Sequence, residues 1–162
     1  MKQILITLLA VLILSGVNFS IYQKEQLLEN GESFFLKLAP VDPRSLMQGD
    51  YMILRYALAN EVHPEQNDGL LVIERDQDNV AHFKAIYDGK TPLTEQQHLL
   101  RFRQRGREIR LGAESYLFQE GHAHLYSDAH YGELKIAESG ESILVGLRDE
   151  AFHLLGAQVI QK

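Results

Sequence analysis

Three groups of residues have the types and spacing to do chemistry. Arg101, Arg103 and Arg105 alternate with Leu100, Phe102 and Gln104, and Arg107 and Arg110 follow. Residues 98–111 hold five arginines against one acid, Glu108, whereas residues 112–162 hold three basic and eight acidic residues. Side chains two apart in a strand share a face, so the alternating arginines form a basic ridge. Guanidinium forks suit phosphate or carboxylate, which points to lipid head groups or an acidic partner. The plainer reading is a solvated β face balanced by acidic neighbours.

The second group is His122, His124, Asp128 and His130. Histidine with carboxylate can bind zinc, copper or nickel. In a strand, His122 and His124 would share a face. In a helix they would sit about 200° apart, and the pairing would be His124 with Asp128. The spacing matches no established metal motif, so His122, His124 and Asp128 stand as weak metal candidates against an exposed polar loop. The third group is Asp42, Asp50, Glu114 and Glu120, carboxylates of the kind a hydrolase pairs for acid–base work. Nothing in their spacing sets their distances.

Much chemistry is excluded. No phosphate-cradling glycine loop, HExxH or G-x-S-x-G occurs, and no motif asks for a cofactor. The chain has no cysteine, which removes disulfides, thiolate metal sites and a lipid-modified N-terminal cysteine. Its net charge of −6 argues against nucleic-acid binding.

The elements that position these groups begin with a membrane-length segment. Ile4 to Tyr22 carries no charged residue over 19 positions, close to the roughly 20 helical residues that cross a bilayer. The densest part, Ile4–Leu14, also suits the apolar region of a signal peptide. Only Ser15-Gly16-Val17-Asn18 offers a cleavage site, and Tyr22 suits a membrane interface, so an uncleaved anchor is preferred. Lys2 flanks the span on one side; on the other, Lys24 is offset by Glu25 and Glu29. The positive end stays in the cytoplasm. The expectation is a single-pass inner-membrane protein, with its C-terminal domain in the periplasm if the cell is Gram-negative. The expected division is an anchor over 1–23, a helix-compatible juxtamembrane segment over 24–32, and an extracytoplasmic domain over 33–162.

The domain reads as mostly β or α+β, one small antiparallel β-rich unit. Phe34–Leu38 is an expected strand, Pro40 to Gly49 a corner in which Asp42 caps a short helical turn opened by Pro43. Tyr51–Leu58 is an expected strand with Met52, Leu54, Tyr56 and Leu58 on its apolar face. Hairpins are expected over Leu70–Arg75 and Val80–Tyr87, over His98–Arg105 and Arg107–Leu111, and over Glu133–Ala137 and Ile143–Leu147. Phe152–Leu155 reads as a last short strand. Tyr116–His130 is ambiguous, with Leu125 and Tyr126 placeable on a short helix.

Leu46-x-x-Gly49-Asp50 resembles the turn that enters a strand in signal peptidases. Their nucleophilic serine lies eight residues before that glycine, where this chain has Val41, and valine cannot attack a carbonyl. Ser45 falls where those enzymes usually carry threonine. The shared letters are read as turn geometry: glycine for the bend, aspartate for free backbone N–H groups.

A fuller resemblance is to the GDYXXLXY family, membrane-anchored bacterial proteins of uncharacterised function. Gly49, Asp50, Tyr51, Leu54 and Tyr56 fill every fixed position of its motif. Pro40-Val41-Asp42-Pro43-Arg44, the N-terminal anchor, Glu114-Ser115-Tyr116 and Glu120-Gly121 also resemble it, over roughly residues 1–155. Gln48 stands where a basic residue is often found. The resemblance implies location and architecture, brings no catalytic residues, and implies a multi-spanning membrane protein as partner. The preferred function is a non-catalytic interaction module, with Arg101, Arg103 and Arg105 as partner-binding residues. The alternative is a periplasmic hydrolase or metal-binding protein using acidic residues and His122/His124.

Overall fold

The structure is a computed structural model that describes residues 2–39, 47–48 and 51–156. Helix α1 runs unbroken from Lys2 to Asn30. It is long and apolar enough to cross a membrane, with its apolar window wholly exposed. Residues 24–30 of the expected juxtamembrane segment are therefore the last turns of the same helix, and Glu32 already begins the first strand. Leu27 alone on that end is buried against the domain. Lys135 Nζ donates to Gly31 O at 2.8 Å, and Gly31 N donates to Leu27 O at 2.9 Å. The second bond satisfies a carbonyl that the helix end leaves without a partner, and the first ties the residue after the helix to the domain.

A small antiparallel β-rich domain follows. Its strands are β1 (Glu32–Lys37), β2 (Met47–Gln48), β3 (Tyr51–Ile53), β4 (Asp68–Arg75), β5 (Ala81–Ile86), β6 (Gln97–Arg105), β7 (Glu108–Arg110), β8 (Ser115–Leu117), β9 (Tyr131–Ile136) and β10 (Ser142–Arg148). Among the described residues they make three sheets, ordered β1-β9-β10, β2-β3-β8 and β5-β4-β6-β7. The three expected hairpins are β4–β5, β6–β7 and β9–β10. Asp76 closes the first, its carboxylate taking the N–H groups of Asp78 and Val80 at 2.9 and 2.8 Å, an aspartate turn of the usual kind. The inward faces of all three sheets share one core that includes Phe34, Leu36, Leu54, Leu71, Ile73, Leu100, Phe102, Leu134 and Leu147.

Three sequence expectations need correction, and one segment left open is resolved. The strand expected over Tyr51–Leu58 ends at Ile53. Leu54 N still bonds across to Glu114 O at 2.8 Å, but Arg55 O then accepts from Ala39 N at 2.7 Å, and Tyr56 bridges Leu38. The chain has changed partners, from β8 to the end of β1, and Ala57–Asn60 coils into a 3₁₀ turn. Side-chain alternation survives the change: Met52, Leu54, Tyr56 and Leu58 are all buried. Period two reports which way side chains point, not which strand lies alongside.

The strand expected over Phe152–Leu155 reduces to one bridge, Leu154 to Arg148. Asp149 turns the chain there by accepting from Ala151 N and His153 N at 2.9 and 2.8 Å. Phe152 sits at φ 63°, stacked on Phe35 and Tyr131. The ambiguous Tyr116–His130 contains β8 and a 3₁₀ turn over Ala123–Tyr126. Within the expected corner 40–49, Met47–Gln48 form a strand. The Asp42 cap, Pro43, Arg44, Gly49 and Asp50 lie outside the described residues.

Candidate functional site

Two regions hold the residues singled out by sequence. One is a seam around Tyr51–Tyr56. Strands β2 and β3 pair on either side of Gly49-Asp50, with Met47 opposite Met52 and Gln48 opposite Tyr51. Across β3, Tyr51 faces Leu117 and Ile53 faces Ser115. Tyr51 is exposed, while Leu54 is 1% and Tyr56 2% exposed. Buried phenols need a partner, and Tyr56 Oη donates to Ala113 O at 2.6 Å. Burial, and behind it the Glu114 carboxylate, push the Tyr56 hydroxyl far above the usual phenol range. The ring lies over Gly132 of β9, where an added Cβ would meet it at 3.1 Å. A side chain there needs the buried tyrosine ring to give by a few tenths of an ångström. Glu114 binds backbone as well: its Oε1 accepts from Leu111 N and, at 2.9 Å, from Gly112 N. The seam thus ties β3 to β8 and to the β1–β9 sheet.

The other region is a cleft of about 370 Å³ lined by Arg101, Arg103, Arg105 and Arg110, with Lys24 of α1 and Glu141. Buried Leu100 and Phe102 fix the pleat of β6, so Arg101, Arg103 and Arg105 all face outward and are exposed. Arg103 stands opposite Arg110 on β7 and opposite Asp68 on β4. Among the described residues, no carboxylate comes within ion-pair distance of Arg101, Arg103 or Arg105. Arg110 has only the exposed Glu108, at 3.6 Å. Like charges on directly opposed strand positions repel.

The wall of the cleft is the β9–β10 turn. Gly140 there adopts φ 81°, and its carbonyl accepts from Arg101 N at 2.8 Å. An added Cβ would meet the end of the Leu70 side chain at 2.7 Å, and the positive φ itself favours glycine. This contact sets Glu141 at the rim, where its carboxylate takes Lys24 Nζ at 3.3 Å. Ser142 Oγ completes the wall by donating to Leu111 O at 3.1 Å.

The model of the GDYXXLXY protein family matches residues 13–147. The chain belongs to the GDYXXLXY family. No curated protein and no solved structure matches it. In this GDYXXLXY protein the motif positions within the described residues belong to the seam, and the arginines lie outside it.

The remaining candidates do not converge. His122 precedes the 3₁₀ turn that contains His124 and makes no side-chain capping bond, so neither the strand nor the helix geometry applies. His124 Nδ1 lies 3.1 Å from Gly121 O. Asp128 accepts from Ser127 Oγ at 3.4 Å. His122 Nδ1 is buried without a partner among the described residues. No three His, Asp or Glu side chains gather for a metal among those residues. Of the four carboxylates, Asp42 and Asp50 lie outside the described residues, Glu114 caps backbone, and Glu120 is exposed.

Sequence reasoning found the arginine ridge but missed Lys24 and Glu141 as parts of the same cleft. It also missed the ion pair of Glu133 with Arg148, whose Nε and Nη2 lie 2.9 and 2.6 Å from Glu133 Oε2. For Lys24 the available signal was its position, two residues beyond the charge-free span. Glu133 lies on the face of β9 opposite to core residues Leu134 and Ile136, so the period-two pattern gave no signal for its burial or its partner.

Proposed function

We propose that this GDYXXLXY protein is a membrane-tethered, non-catalytic interaction module. In this reading α1 is a single-pass inner-membrane anchor, and the β-rich domain lies in the periplasm. It engages a membrane or envelope partner through Arg101, Arg103 and Arg105, and the partner proposed is a multi-spanning membrane protein. One observation carries the reading: four arginines and the first lysine beyond the apolar span line one cleft. A tether also raises the effective concentration of the domain for partners in the same membrane.

Two experiments test it. Alkaline phosphatase fused to the C-terminus is expected to be active; an inactive fusion beside a fluorescent GFP fusion contradicts the orientation. Photo-crosslinking residues placed singly at 101, 103 and 105 are expected to give a reproducible membrane-protein adduct, lost when the remaining two arginines become glutamate. No adduct, with normal growth and envelope assembly of the charge-reversed strain, contradicts the interaction.

A further inference from the structure

With α1 as the membrane anchor, a reading on which this inference rests, the arginine cleft has a definite height relative to the bilayer. The charge-free residues 4–22 of α1 span about 28 Å at about 1.5 Å per residue, close to the ~30 Å hydrocarbon core. Lys24 lies two residues further, about 3 Å along the same helix axis. Each head-group layer is about 5–8 Å thick. Lys24 therefore stands among the phosphates, and it lines the cleft with Arg101, Arg103, Arg105 and Arg110.

The cleft is charged in a way the fold does not use. Its floor is β6 and β7, with the Phe102 backbone position between Arg101 and Arg103. Two carboxylates, Glu114 and Glu141, line it with the five cations, and the exposed Glu108 stands 3.6 Å from Arg110. Glu114 is engaged by the N–H groups of Leu111 and Gly112. Glu141 is engaged by Lys24, with both side chains about half exposed, a pair of little net worth that an anion can displace. The alternating arginines lie about 6.7 Å apart along the strand, with Arg110 beside Arg103 across the ladder. Guanidinium groups so placed can take one phosphate from two sides, each by a forked pair of hydrogen bonds.

We infer that the cleft formed by Lys24, Arg101, Arg103, Arg105 and Arg110 holds the phosphate of an anionic phospholipid head group. The occupant comes from the leaflet through which α1 leaves the membrane. Bound there, the lipid relieves the repulsion between Arg103 and Arg110 and fixes the domain against the bilayer surface.

The test uses the full chain in neutral detergent micelles, titrated with phosphatidylglycerol or phosphatidylcholine and read by native mass spectrometry. Each basic side chain at an anionic surface is worth about fivefold in affinity. The wild-type chain is expected to prefer phosphatidylglycerol by about tenfold or more. Arg103→Gln with Arg110→Gln is expected to remove that preference at an unchanged or raised melting temperature, and Lys24→Gln to weaken it about two- to fivefold. Equal binding of the two lipids, or a preference that survives the double substitution, overturns the proposal. Displacement of phosphatidylglycerol by millimolar inorganic phosphate overturns the bilayer as source. Should lipid preference be absent while the crosslinked adduct persists in cells, the lipid assignment falls and the interaction module stands. Loss of both sinks both.

Discussion

The seam around Tyr51–Tyr56 and the arginine cleft on β6 treat polar groups in opposite ways. In the seam, polar atoms are partnered by backbone: Tyr56 Oη bonds Ala113 O, and Glu114 takes two N–H groups. In the cleft, Arg101, Arg103 and Arg105 stand exposed and outside ion-pair distance of any described carboxylate. Buried partners hold a fold together because breaking them strands a desolvated group. Exposed like charges side by side do the reverse, and a departure from local stability of this kind is expected where a surface has a task. Of the described residues of the motif that names the family, Leu54 and Tyr56 are buried in the core and Tyr51 is exposed.

The largest effect expected from attacking this contrast is at Leu54. It is 1% exposed, so Leu54→Ala loses buried apolar volume and leaves a cavity, costing roughly 2–5 kcal/mol. Urea unfolding of the full chain in micelles, followed by tyrosine fluorescence, reads this. A cost under about 0.5 kcal/mol would remove the seam from the core.

Next comes the ion pair of Glu133 and Arg148. Arg148 also donates from Nη1 to Phe152 O at 2.9 Å, and its guanidinium lies 5.7 Å from the Phe35 ring centroid. Arg148→Ala leaves Glu133 largely buried without its cation, a loss of roughly 2–4 kcal/mol after allowance for partial exposure. Glu133→Gln with Arg148→Met is expected to recover much of it, since a polar–apolar pair strands no charge. A double variant as unstable as Arg148→Ala would show that the aromatic packing, not the pair, sets the loss.

Much of this was legible in sequence, and the rest was hidden for identifiable reasons. The hairpins showed because Asp76–Asn79, Gly106 and Glu138–Glu141 are local turn signals. Burial of Leu54 and Tyr56 showed in the period-two pattern. The change of partner after Leu54 did not, because Ala39, Arg55 and Glu114 meet only in three dimensions. The same holds for Lys24 and Glu141, which are 117 residues apart. The histidines were legible as ligand types alone; the 3₁₀ turn that separates their roles rests on tertiary packing of Tyr126 against Tyr116 and Phe118.

Tyr116 gives a smaller, pH-dependent test. Burial first, then a hydrogen bond and charge from Tyr126, push its hydroxyl up to about 12. A raised folded value means a contribution fully present below the unfolded phenol value of about 10 and lost as pH rises toward 12. Tyr116→Phe is expected to flatten part of the stability decline between about pH 10 and 12. An unchanged decline would assign it to other groups, such as Tyr56. The smallest expected effect is Lys24→Gln, which removes an exposed ion pair and should change stability by under about 0.5 kcal/mol.

The division between seam and cleft is tested most directly by one equilibrium unfolding measurement on the full chain in neutral micelles. The variant is Arg101→Gln, Arg103→Gln and Arg105→Gln together. Stability within about 0.5 kcal/mol of wild type, or above it through relief of repulsion, is the expected result. A loss above about 2 kcal/mol would make the ridge part of the fold's support and contradict its assignment as a contact surface.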